Sequence, residues 1–119
     1  RCNIPTRGTE QSLDFELYCI DDIIHPHDRC SIFTGIDVQI PHQHYGRVTL
    51  HSSLMFMYGI CIGADVIDEG YRGEIKVILV NHINDIFRAK RGDRIVQLIV
   101  EKKTYCEIKE VKKLTDIMR

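Results

Sequence analysis

Residues 66–73 read Val-Ile-Asp-Glu-Gly-Tyr-Arg-Gly, an apolar strand end that runs into two carboxylates, a glycine turn and a tyrosine. Asp68 follows directly on the apolar pair, where a strand end would hold its carboxylate rigidly as a base. Tyr71, three residues on, offers a flat ring to a ligand. The same spacing also describes an ordinary hairpin with solvated acidic turn residues. A second segment, Gly92-Asp93-Arg94-Ile95-Val96-Gln97-Leu98-Ile99, feeds a tight turn into a strand that carries Gln97 among branched apolar neighbours. A buried amide needs a partner, and Gln97 is able to bond either a phosphate or neighbouring backbone. Third, His51 precedes Ser52-Ser53, a serine pair at a potential helix start and so a plausible phosphate cradle.

The other polar clusters point less sharply. His25 and His27, and likewise His42 and His44, are two apart, so each pair would share one face of a strand and could share a metal. Both pairs adjoin prolines, Pro26 and Pro41, with no third ligand at a telling spacing, which favours loop histidines. The five cysteines (Cys2, Cys19, Cys30, Cys61, Cys106) are odd in number and widely spaced. They fit neither a disulfide framework nor a zinc site and read as reduced, mostly buried thiols in a reducing compartment. No GxSxG, P-loop, HExxH or GxGxxG motif occurs.

The elements that must position these residues read as β-structure. Isoleucine, valine and tyrosine dominate, and turn formers recur every eight to twelve residues. Asp14 to Ile20 and Ile36 to Ile40 alternate as half-buried strands, Tyr45 to Leu50 is another, and Ile75 to Val80 and Arg94 to Val100 are dense enough in Val, Ile and Leu to be central strands buried on both faces. Turns are expected at Asp28-Arg29, Thr34-Gly35, Gly63-Ala64, Glu69-Gly70, Asn81 to Asp85 and Arg91 to Asp93. Ser52 to Tyr58 is the one helical candidate, capped by Ser52 or Ser53, with a strand as the alternative. The Lys-rich end is expected to be a solvated strand and tail.

At 119 residues, 44% hydrophobic and 28% charged, the chain is expected to fold as a single domain over 1–119. A formal net charge of -1 supplies no field for gripping a polyanion, which disfavours direct nucleic-acid binding. The longest apolar run, Leu54 to Ile62, is broken and far below the roughly 20 residues of a spanning helix. Arg1 to Thr9 lacks the apolar core of a secretion signal, so the expected location is intracellular.

Taken in order, these segments resemble the trimeric dUTPases, which hydrolyse dUTP to dUMP and diphosphate. Pro5-Thr6-Arg7-Gly8 and then Phe15-Glu16-Leu17-Tyr18 are similar to the approach to the first motif, usually Gly-Tyr-Asp-Leu, with Asp14 for glycine and Glu16 for aspartate. Tyr45-Gly46-Arg47-Val48 and His51-Ser52-Ser53-Leu54 resemble the second motif, in which relatives carry Arg or Lys where His51 stands and Ser53 is a variant of some viral members. Asp65 to Gly73 resembles the third motif, Gly-Val-Ile-Asp-Glu-x-Tyr-x-Gly, with Asp65 replacing its first glycine. Gly92 to Leu98 is similar to the fourth motif. Tyr105 to Val111 is similar to the terminal strand, and it leads to Arg119, where the fifth motif begins. Relatives continue from there with a glycine-rich arm that closes over another subunit's site.

The resemblance implies a jelly-roll-like distorted β-barrel, all-β with at most one short helix, assembled as a homotrimer with each site shared between subunits. It implies that Asp68 activates the attacking water and that Tyr71 packs on the deoxyribose and rejects a ribose. The hairpin Gly63, Ala64, Asp65, Val66 and Ile67 would read uracil, and His51, Ser52, Ser53, Gln97 and Arg119 would serve the phosphates. The implied cofactor is Mg2+ carried on those phosphates, with no direct metal ligand in the chain, and the location is cytoplasm or nucleus. Each weakened transition-state contact, such as His51 or the missing arm, costs roughly 10² to 10³ in rate. The alternative is a catalytically impaired relative that serves as a protein-binding or regulatory module.

Overall fold

The computed structural model describes residues 4–8, 14–20, 22–63 and 66–117, without the side chains of Ser52 and Ser53. Ten strands and one short helix succeed one another in chain order: β1 (Thr6–Arg7), β2 (Asp14–Tyr18), β3 (Asp22–Ile24), β4 (Arg29–Asp37), β5 (His44–Leu50), α1 (Ser52–Tyr58), β6 (Ile60–Ile62), β7 (Val66–Ile67), β8 (Glu74–Asn81), β9 (Phe87–Ala89) and β10 (Arg94–Lys102). They form a five-stranded sheet ordered β1-β2-β10-β5-β7, a three-stranded sheet β4-β8-β6 and the pair β3-β9. Every pairing among the described residues is antiparallel. The result is the expected jelly-roll-like β fold, although the described strands form separate sheets and no closed barrel.

The core lies between the sheets and is set by strand alternation. Leu17, Val48, Ile67, Val96 and Leu98 face inward from the large sheet to meet Ile32, Ile75, Val77, Leu79 and Ile60 of the second, with Ile24, Phe87 and Ala89 at one end. Strands β8 and β10 are central, as expected, but β8 is not buried on both faces. Ile75, Val77 and Leu79 are buried while Lys76 is exposed, so β8 has the alternation of a half-buried strand. Asn81 ends β8 fully buried, and its amide nitrogen donates to the Ile24 and Asp85 carbonyls while its oxygen accepts from the Ile83 N–H. That one side chain ties β8 to β3 and closes the expected 81–85 turn.

Several local expectations are corrected. Thr34-Gly35 is a bulge inside β4 rather than a turn: the pairing with β8 shifts register between Phe33 and Asp37, and Gly35 takes a φ of 71°. The Thr34 hydroxyl donates to the Ile75 carbonyl at 2.8 Å, so the bulge is fastened from within. The strand expected at Ile36 to Ile40 begins instead at Arg29 and ends at Asp37. Ser52 to Tyr58 is helical, not a strand, but His51 occupies the cap position, with no side-chain capping bond. Gly59 ends the helix in the left-handed region at φ 63°. Tyr105 to Val111 is not a strand, because β10 ends at Lys102 and no described strand pairs with residues 103–117. That segment carries apolar side chains outward, Ile108 being 98% and Ile117 87% exposed. No described helix is long and apolar enough to cross a membrane.

One glycine decides how the large sheet closes on the third-motif segment. Gly46 on β5 pairs with Ile67 on β7, and a Cβ at Gly46 would lie 3.1 Å from Leu98 Cδ1, 3.2 Å from Ile40 Cδ1 and 3.3 Å from Ile67 Cβ. Gly46→Ala is therefore expected to destabilise the fold by about 1–3 kcal/mol through overpacking. Urea unfolding measures this, and an unchanged midpoint would show that β7 does not rest on Gly46.

Candidate active site

Val66 and Ile67 pair with Arg47 and Gly46 of β5, and this short strand delivers Asp68 to the surface at its end. The Tyr71 N–H donates to the Asp68 carbonyl at 3.0 Å, closing a tight turn. The Tyr71 hydroxyl donates to the Glu74 carbonyl at 2.6 Å, so its ring is held flat against the turn. Gly73 makes this possible, since a Cβ there would stand 2.7 Å from the Tyr71 hydroxyl oxygen. Asp68 and Tyr71 border a cleft of about 290 Å³ whose other walls include Val48, Val66, Ile67 and Ile75. That is near the lower end of small-molecule sites, with an apolar floor and few polar groups at its rim. Gly63, just past β6, donates its N–H to the Ile78 carbonyl at 2.7 Å; the strands on either side of residues 63–65, β6 and β7, pair with β8 and β5 in different sheets, so the described residues form no hairpin there.

A second polar group gathers on the other flank of β5. Gln97 of β10 lies between Glu16 of β2 and Thr49 of β5 in the ladder. His51, two residues past Thr49, bonds Glu16 Oε2 through Nε2 at 2.6 Å, and Glu16 is buried. The first, second and fourth motifs thus converge through strand pairing. Asp68 belongs to a different place. Ile67 is opposite Gly46 and Gln97 opposite Thr49, so the two are three residues apart along β5 and two strands apart across it. Strand spacing makes that roughly 14 Å, with Asp68 beyond Ile67.

Some expected site residues fall outside what is described. Ala64, Asp65 and Arg119 lie outside the described residues, as do the side chains of Ser52 and Ser53, although both serines sit in the first turn of α1. Neither histidine pair shares one strand face: His25 and His27 follow β3 in a loop, and His42 lies in the turn before His44 opens β5; His27 bonds Asn84 and His42 bonds Glu69. Among the described residues no three His, Cys, Asp or Glu side chains gather as a metal centre. Among the described residues no cysteine is in a disulfide, and burial pushes the Cys30 thiol up to about 11, unsuited to a nucleophile.

The dUTPase family model matches residues 1–119. The chain belongs to the dUTPase family. It is 42% identical over 116 residues to a human protein named deoxyuridine 5'-triphosphate nucleotidohydrolase, mitochondrial, covering 97% of this chain and 46% of the relative. It is 38% identical over 116 residues to the deoxyuridine 5'-triphosphate nucleotidohydrolase of Paramecium bursaria Chlorella virus 1, covering 97% of this chain and 82% of the relative. The chain thus spans less than half of the human relative and most of the viral one. Among solved structures, the dUTPase of Staphylococcus bacteriophage 80alpha has a TM-score of 0.89 at 19% identity, covering 97% of this chain and 92% of that one. A variant of it was solved with dUpNHpp, with a TM-score of 0.88 at 20% identity over the same shares of the two chains. A dUTPase variant from phage phi11 of S. aureus, with a structural Mg(II) ion, has a TM-score of 0.88 at 19% identity and covers 94% and 91%. These likenesses establish the dUTPase fold.

Two residues gain importance only in three dimensions. Glu16, read in the sequence as a departure from the family aspartate, is the partner of His51, itself a departure from the family Arg or Lys. Glu69, read as an acidic turn residue, accepts from the Tyr105 hydroxyl, from His42 Nδ1 at 2.6 Å and from the Gln43 N–H at 3.1 Å, and faces Lys103 Nζ at 3.3 Å. Its partners are 26 to 36 residues away in the chain, so no local pattern signals the cluster.

The Tyr105 hydroxyl first, and His42 second, hold the Glu69 carboxyl down from its ordinary 4.5 to about 2. A lowered carboxyl pKa contributes stability that is present above the ordinary value and lost as pH falls through the folded one. The Tm difference between the wild type and Glu69→Gln is accordingly expected to narrow from about pH 4.5 down to about pH 2. A difference that stays constant across that range would contradict the assignment.

Proposed function

We propose that this chain is a dUTP nucleotidohydrolase that converts dUTP and water to dUMP and diphosphate, with Asp68 as the base. The observation that carries the reading is the turn that sets Asp68 and the locked Tyr71 ring together at the rim of an apolar cleft. Deoxyuridine lies against Tyr71, where the ring leaves no room for a ribose 2′-hydroxyl, and the 63–67 segment reads the uracil edge. Asp68 takes a proton from a water whose oxygen bonds to the α-phosphorus as the bond to the bridging oxygen breaks, releasing diphosphate.

The phosphates are served by Ser52, Ser53, Gln97, His51 and Arg119. A general base must lie within hydrogen-bond reach of the water it activates, and the roughly 14 Å from Ile67 to Gln97 is too far for one chain to close. The reading therefore requires a second copy, as in the homotrimer we propose, with the Asp68 turn of one copy facing the Gln97 flank of another. The exposed apolar side chains of residues 103–117 support such an assembly, since the described residues do not cover them. Mg2+ carried on the triphosphate supplies charge neutralisation at the leaving diphosphate. The Glu16–His51 pair weakens the case for a binding module, because the two departures compensate each other: a longer carboxylate reaches an imidazole where relatives carry a longer cation.

Diphosphate release from dUTP with Mg2+, beside dCTP and UTP, tests the proposal. Release confined to dUTP and lowered about 10²-fold or more in Asp68→Asn is expected. No release from a well-folded assembly, or equal release from Asp68→Asn, would overturn it.

A further inference from the structure

We propose that Glu69 is a positioning residue for Asp68, tethering the turn that bears the base to the root of the C-terminal segment; the inference rests on the reading of Asp68 given above. The turn has little packing of its own. Asp68 is exposed, a Cβ at Gly70 would meet nothing within 4 Å, and Tyr71 is 38% exposed. Two of its fastenings are local: the Tyr71 hydroxyl on the Glu74 carbonyl, and Arg72 Nη1 on the carbonyls of Glu69 at 2.9 Å and Tyr71 at 3.2 Å. The Glu69 carboxylate reaches further.

Its two oxygens take the Tyr105 hydroxyl, the His42 ring, the Gln43 N–H and Lys103 Nζ, so the turn is bonded both to the 42–43 turn and to the chain just past β10. Those two anchors are themselves joined, since the Lys103 N–H donates to the Gln43 carbonyl at 2.9 Å. Lys103 Nζ also lies over the Tyr105 ring, 4.8 Å from its centroid. Charge-assisted bonds of this kind are short and directional, and here they converge on a carboxylate whose side chain is only 21% exposed. Asp68 is the adjacent residue in the chain, so fixing Glu69 restricts the backbone from which the base projects. Because two of the partners belong to 103–105, seating the C-terminal segment and placing the base become one event.

The test compares Glu69→Gln, Tyr105→Phe and the double variant of the full chain in dUTP hydrolysis, with Arg88→Gln on the exposed face of β9 as a control. Misplacing a catalytic group lowers turnover more than ground-state binding, so kcat is expected to fall about tenfold in each single variant while KM changes less than about twofold. The double variant should lose little more than either single one, as expected for one shared interaction, and the control should match the wild type. In ¹³C-tyrosine NMR, Glu69→Gln should shift the Tyr71 ring resonance and leave that of Tyr18 in place. Unchanged kcat in a folded Glu69→Gln and in Tyr105→Phe, or a rise in KM alone, would overturn the proposal. If the wild type itself releases no diphosphate, the enzyme reading falls separately; the Tyr71 resonance then decides, and an unmoved signal sinks the tether.

Discussion

Strand β5 stands between the two groups of polar residues that the chemistry requires. Its Gly46 receives β7 and hence Asp68 on one side, while its Thr49 faces Gln97 on the other. Backbone hydrogen bonding fixes the spacing of strands, so no side-chain adjustment brings the two groups together within one sheet. In the proposed reaction, a base and a phosphate grip held apart in this way need a second copy to present the missing half. On that proposal, the packing of β5 sets both where the base stands and why two copies are needed.

Within that frame, charge is handled by pairing rather than by net excess. The buried Glu16 would be costly alone, and the His51 imidazole satisfies it at 2.6 Å. Glu69 gathers donors from two other segments and steadies a turn that has no core of its own. Both carboxylates sit one step behind the residues to which the proposed chemistry is assigned, Glu16 behind His51 and Glu69 behind Asp68.

Much of this was legible in the sequence. Strands β8 and β10 announce themselves by density of Val, Ile and Leu, α1 by the serine pair before Leu54, and the third-motif turn by Asp68, Gly70 and Tyr71. What escaped did so for physical reasons. Gly35 reads as a turn former, yet its positive φ is used for a bulge inside β4. Strands β1 and β7 have only two residues each, too few for any periodicity to show. The Glu16–His51 bond spans 35 residues and the Glu69–Tyr105 bond 36, and contacts at such range exist only once the sheets have formed. The segment Tyr105 to Val111 carries the residues of a strand but has no described partner within the chain.

The central claim, that one working site draws on two copies of the chain, is tested most directly by mixing two inactive variants. Asp68→Asn retains the Gln97 flank and Gln97→Ala retains the Asp68 turn, so co-assembly of the two should create some sites with both halves intact. The account predicts that dUTP hydrolysis by the co-assembled mixture rises well above that of either variant alone. Activity no greater than the sum of the separate variants, in assemblies shown to contain both chains, would contradict it.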